Sequence, residues 1–180
     1  VGVGSLAADA FSNAVGSIGG FLKETVTSAL EAQSAYAGYQ QILSQASGAS
    51  SEQINALHAQ AEALGQIGII SDDVIMATQS TLATFDLQAE SIKKLTPSFV
   101  DMIAKERGFN ATTQDATAFG NAFGKVLQGN VGALSDYGFK FDKNTEKILK
   151  NGTETEKIQA LTELLDSTYK DFNKTMGETT

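Results

Sequence analysis

An all-α fold follows from three features of this sequence. A single proline stands among 180 residues, so long stretches keep every backbone donor that a helix needs. Apolar residues recur at helical spacing, whereas the period-two alternation of a half-buried strand is scarce. Polar capping residues and glycines punctuate the second part of the chain at short intervals. Together they predict a long N-terminal helix, extended and heptad-like over residues 1–48, followed by a compact bundle of short capped helices over residues 49–180.

Residues 5–46 read as one long helix or two joined ones. Counting in sevens gives Ala8, Val15, Leu22, Ala29, Tyr36 and Leu43, with Phe11, Ile18, Thr25, Ala32 and Tyr39 as companions. Only Thr25 interrupts an apolar seam of coiled-coil type, a repeat that favours left-handed supercoiling. The positions beside the seam hold Ser12, Gly19, Val26, Gln33 and Gln40, not the Glu and Lys of a soluble two-stranded coil. Before Gly48 the only charged residues are Asp9, Lys23, Glu24 and Glu31. Such a helix suits either a place in a single-chain bundle or enclosure by copies of itself or by other proteins, and its poverty in charge favours the second. Gly19-Gly20 is the expected kink, since each glycine costs a helix interior about 1 kcal/mol relative to alanine.

Small polar residues from Ser47 to Ser51 make a linker. Ser50 and Gln53 then have capping-box spacing, with Ile54, Leu57, Ala61 and Leu64 on one face and Gly65 as the stop. Ser71 followed by Asp72-Asp73 opens the next helix, its hydroxyl placed to accept a free amide. Thr96-Pro97 is read as another start, because proline at the first helical position loses no bond. Gly108 after Arg107 ends that helix as a left-handed cap. Asn110 is placed to cap a helix through Phe119, Phe123 and Leu127 to Gly129-Asn130, and Thr153 with Glu156 forms a further capping box ahead of Ile158, Leu161, Leu164, Leu165 and Tyr169. Gly138-Phe139-Lys140-Phe141 is at most a short extended connection.

Charge narrows the range of functions. With 13 basic and 21 acidic residues the net charge is −8, and each of the basic stretches Lys93-Lys94, Lys105 with Arg107, and Lys140 to Lys150 has Asp or Glu nearby. A surface that binds DNA needs a field that attracts phosphate, so no sequence-specific nucleic-acid binding is expected. The absence of Cys removes disulfides and thiolate metal sites and suits synthesis in a reducing compartment. No basic signal-peptide start precedes the Val/Ala/Gly-rich first residues, and Asp9, Ser12 and Asn13 break them well short of the roughly 20 apolar residues of a membrane span. Val1 in place of Met reads as a piece of a longer protein.

No arrangement of residues assembles a nucleophile, a base and an orienting group, and no catalytic, cofactor-binding or metal residue is assigned. His58 is the one histidine; it falls beside the apolar stripe with Asn55 and Glu62 and reads as a solvated helix-surface side chain. Asp72-Asp73 point about 100° apart on a helix, and dipole complementarity explains them. Asp142, Asn144 and Glu146 have a loose calcium-loop spacing, but Lys147 stands where that loop needs glycine. Gly2 and Gly4 follow no strand. The glycosylation triplets at Asn110, Asn151 and Asn173 carry no weight without secretion.

Three stretches are more specific. Ala63-Leu64-Gly65-Gln66-Ile67-Gly68-Ile69-Ile70-Ser71-Asp72 joins two helices through an apolar, glycine-marked turn. About fifty residues on come Phe119-Gly120-Asn121-Ala122-Phe123-Gly124-Lys125-Val126-Leu127-Gln128-Gly129-Asn130 and then Ala133-Leu134-Ser135-Asp136-Tyr137-Gly138-Phe139. Over residues 60–180 this pattern resembles phage and prophage tail tape measure proteins, in which a G-K-x-L-x-G helix end precedes L-x-x-x-G and an aromatic or aliphatic residue. The resemblance implies a mostly helical virion protein of the tail lumen or tip, assembled in the bacterial cytoplasm. It implies a role in tail assembly, length determination and genome ejection, and small homo-oligomers, trimers among them. The implied partners are tail tube and tail-tip or baseplate proteins, with membrane contact only during infection. No catalytic residue is carried over, and no cofactor. A second reading, from the Ala/Gly/Val-rich first helix and the Ala/Ser/Gln-rich composition, is a secreted helical effector or pore-forming translocator. A third, a peptidoglycan hydrolase, has no site in the sequence.

Overall fold

A computed structural model describes residues 28–180, with side chains from Gln33 onward. The seam positions before residue 28 and the Gly19-Gly20 kink lie outside the described residues. The described chain is all-helical: α1 (Ser28–Ser47), α2 (Ser51–Ile67), α3 (Asp72–Ala83), α4 (Ala89–Arg107), α5 (Thr113–Leu127), α6 (Lys143–Asn151), α7 (Glu154–Tyr169) and α8 (Phe172–Glu178). Short 3-10 turns at Gly108–Asn110 and Val131–Tyr137 flank α5.

The centre of the bundle is α3. Every residue from Val74 to Ala83 is buried, because α1, α2, α4 and α5 all pack around it. Four of these residues are polar, so their hydrogen bonds must be made inside. Thr78 Oγ1 donates to Val74 O at 3.0 Å and Thr81 Oγ1 to Ala77 O at 2.8 Å, which satisfies each hydroxyl on its own helix. α7 lies on α4, α6 on α7, and α8 against α4 and α2.

The most extensive helix contact, α3 with α5, depends on two glycines. A Cβ on Gly120 would stand 2.6 Å from Thr81 Cγ2, and one on Gly124 would overlap the Phe85 ring. Their hydrogen side chains let the two helices close together, and the ring fills the space that Gly124 leaves. Phe99 and Phe123 pack ring against ring at a tilt of 55°, with centroids 4.6 Å apart.

The last three turns of α1 belong to this core. Tyr39 and Leu43 of the heptad series are buried, but so are Ala35 and Ile42 outside it, and Tyr36 is only half-buried. The buried stripe therefore follows the 3.6-residue period of a helix lying on a bundle, and one core spans both sides of Gly48.

Several boundaries differ from expectation. α2 does not stop at Gly65 but runs to Ile67; Gly65 is small because Asp72 N returns within 3.1 Å of where its Cβ would be. Ser71 is the residue before α3, yet its hydroxyl makes no capping bond, and Asp73 Oδ1 accepts from Val74 N at 3.0 Å instead. Thr96-Pro97 opens no helix: α4 starts after Gln88 and carries Pro97 inside. The carbonyl that Pro97 leaves without a helical donor is that of Lys93, and Gln60 Nε2 of α2 donates to it at 2.8 Å. Gly108 does end α4, but at φ 58°, ψ −140°, an extended glycine-favouring backbone and not the left-handed cap. Asn110 lies in a 3-10 turn; Thr112 caps α5, through a reciprocal box in which Asp115 N donates to Thr112 Oγ1 at 3.1 Å and Thr112 N to Asp115 Oδ2 at 2.9 Å. The boxes at Ser50/Gln53 and Thr153/Glu156 form as expected from their spacing.

Candidate functional site

Two polar assemblies stand out from the apolar packing. The first joins four helices. Tyr39 OH of α1 donates to Gln79 Oε1 of α3 at 2.7 Å. Gln79 Nε2 donates to Leu57 O at 3.0 Å and to Gln60 Oε1 at 3.3 Å on α2, and Gln60 in turn serves Lys93 O on α4. Burial, with Tyr36 beside it, raises the Tyr39 phenol well above its ordinary value, so the hydroxyl stays a donor. A buried amide whose oxygen and nitrogen are both bonded sets the rotation of all four helices about their axes, since any slip leaves a polar group unpaired.

The second assembly closes the α2–α3 turn. Asn173 of α8, 2% exposed, accepts on Oδ1 from Ile69 N at 2.8 Å and Ile70 N at 3.1 Å, and donates from Nδ2 to Leu64 O at 3.2 Å. It thus serves one of the free carbonyls at the end of α2 and two amides of the turn. Gly68 is required beneath it, because a Cβ there would overlap the Asn173 amide. Asp101 of α4 accepts from Asp171 N at 3.0 Å and Asn173 N at 2.9 Å. Burial raises Asp101 above the usual carboxylate range; the two backbone bonds oppose the rise, and the charges of Asp171 and Asp166 add to it.

The residues that the sequence singles out for chemistry are scattered. His58 is not a freely solvated side chain: α1 folds back over α2 and sets the Tyr36 ring 4.6 Å from the imidazole, with Glu62 at 3.9 Å on the other side. Asp142 is the N-cap of α6, accepting from Thr145 N at 2.7 Å, and that bond holds its carboxyl below the usual value. Asp72 and Asp73 sit in the first turn of α3. Asn173, read only as part of a glycosylation triplet, is a buried structural residue. No local pattern could have announced it, because Ile69 lies 104 residues away.

Open clefts offer little chemistry. One of about 380 Å³ is lined by Phe85, Asp86, Leu87, Leu127, Gln128, Glu154 and Lys157. Two of its three charged residues are engaged: Glu154 Oε1 accepts from Gln88 N at 2.9 Å and Ser91 Oγ at 2.5 Å, and Lys157 Nζ donates to Leu127 O at 2.9 Å. Among the described residues no group of three or more His, Asp or Glu stands together as metal ligands, and no helix is long and apolar enough to cross a membrane. Compared with protein-family models, curated proteins and solved structures, the chain finds no match.

Proposed function

We propose that this chain is a non-enzymatic structural segment of a phage tail tape measure protein, acting in tail assembly and genome ejection with tail tube and tail-tip proteins as partners. The observation that supports the reading is where the resembling stretches fall. Residues 63–72 carry the end of α2, the turn and the start of α3, with Gly65 against Asp72 and Gly68 beneath Asn173. Gly120 and Gly124 line the α3–α5 seam, and Leu134 is fully buried just ahead of Gly138. The residues that carry the likeness are the ones this packing depends on, so the likeness bears on the fold and not on surface composition alone.

The shape of the described residues favours one role within such a protein. An uninterrupted helix measures length at about 1.5 Å per residue. Residues 49–180 instead fold back on themselves in seven helices. We assign them an anchoring, assembly or ejection role, with the measuring done elsewhere in the parent protein. The test is to raise antibodies against residues 49–180 and label particles purified from cells that carry the gene. Gold confined to tails or tail tips is the expected result. Label on cell envelopes or in particle-free culture fluid would reject the reading in favour of a secreted effector.

A further inference from the structure

We propose that α8 is a detachable clasp on the α2–α3 turn, held shut by polar contacts and loaded by a strained hinge at Asp171. The hinge is explicit in the backbone. α7 ends at Tyr169, α8 begins at Phe172, and Asp171 between them takes φ 62°, ψ 11°. That left-handed conformation is one that residues with a Cβ adopt at a cost. Among the described residues no hydrogen bond from the Asp171 side chain offsets it; the contact there is made by the Asp171 backbone N–H to Asp101.

What holds α8 down is small and specific. The helix has seven residues, well under the roughly 12–15 that an isolated helix needs to persist in water, so it stays helical by being docked. Among its residues only Asn173 is buried. Docking therefore rests on the three bonds of the Asn173 amide, the two bonds to Asp101, and a close backbone approach in which Gly177 lies against Ile67 O. Half-buried Phe172 adds an apolar contact beneath Lys105, whose ammonium lies 5.1 Å from the ring centre.

The two halves of the device oppose each other. Rotating Lys170 and Asp171 to helical values would relieve the hinge and run α7 into α8 as one helix from 154 to 178. It would also lift Asn173 out of the turn, leaving Leu64 O, Ile69 N and Ile70 N open. Five hydrogen bonds stand against one strained residue, so the shut form is the ground state and the open form a minor population reached by local opening. The core pairing of α3 with α5 takes no part.

Hydrogen exchange on the whole 180-residue chain tests this. Peptides covering 64–71 and 170–178 should exchange at a common rate, at least about tenfold faster than peptides of α3 and α5. Asp171→Gly removes the Cβ that makes the hinge costly and should slow both peptides about two- to fivefold. Asp171→Val, β-branched and poorly tolerated at positive φ, should speed both about tenfold. Asn173→Ala should speed both while leaving α3 and α5 unchanged. The proposal is overturned if the two hinge variants shift the rates in the same direction or leave them unchanged. It is equally overturned if 64–71 keeps the protection of the core while 170–178 exchanges freely.

Discussion

Replacing Gly120 with alanine sets two effects of opposite sign against each other. In a helix interior the change gains about 1 kcal/mol of intrinsic propensity. Here the new Cβ would stand 2.6 Å from Thr81 Cγ2 and 2.9 Å from Thr81 Cβ, and both are too close to survive without movement. Thr81 has little room to give: it is 1% exposed, in the last turn of the central helix, with its hydroxyl bonded to Ala77 O at 2.8 Å. Overpacking of this kind costs about 1–3 kcal/mol, and a pinned neighbour puts it in the upper half of that range. The net expectation is a loss of roughly 1–2 kcal/mol, or a melting temperature lower by about 2–8 °C for a chain of this size. Gly124→Ala is the internal comparison. Its Cβ would meet the ring of Phe85, which is beyond the end of α3 and can swing aside, so the two effects should nearly cancel. Urea unfolding followed by circular dichroism gives both midpoints, with the slope as a check that the unfolded state is unchanged. A Gly120→Ala protein more stable than the parent would refute the close α3–α5 seam.

Gln79→Leu should cost about 2–3 kcal/mol in the same assay, because it leaves the buried Tyr39 hydroxyl without its acceptor and removes the amide that ties α3 to Leu57 O; a change under about 0.5 kcal/mol would mean the four-helix network carries no weight. Pro97→Ala should stabilise by about 1 kcal/mol, well under the roughly 3 kcal/mol of an interior helix proline, because Gln60 already serves Lys93 O and the unfolded chain gains freedom, whereas a proline at a helix start would give no gain. Alkaline titration should show a linked loss of stability. Burial first, and then Glu106, push Tyr169 up to about 12, so the fold favours its neutral form. That contribution is complete below the ordinary tyrosine value of about 10 and disappears as the pH climbs from there through the raised value; Tyr169→Phe should unfold at higher pH than the parent.

Much of the helix punctuation was legible because it is local. A capping box needs only residues three apart, so Ser50/Gln53 and Thr153/Glu156 could be read directly, and Thr112/Asp115 carried the same signal behind a more conspicuous Asn110. Pro97 misled because its missing bond is compensated from another helix, by Gln60, which no local rule anticipates. Gly65 misled in a related way: a small residue needed for close approach looks in sequence like one needed to end a helix. The burial of Thr78, Gln79, Ser80 and Thr81 was hidden because polar residues signal a surface; Gln79 takes its partners from α1 and α2, and Thr78 and Thr81 bond to their own helix. The clasp was the least legible feature, because Asn173 finds its partners across most of the chain.

The proposed role makes a direct demand on tail length. In a phage carrying this gene, an in-frame deletion of residues 60–180 should abolish tails or leave tails that do not infect, as seen by negative-stain microscopy and plaque counts. Viable particles whose tails are shorter by about 1.5 Å for each deleted residue would contradict the account by making this segment part of the ruler. Fully infective particles with tails of unchanged length would contradict it more deeply, by taking the segment out of the tail altogether.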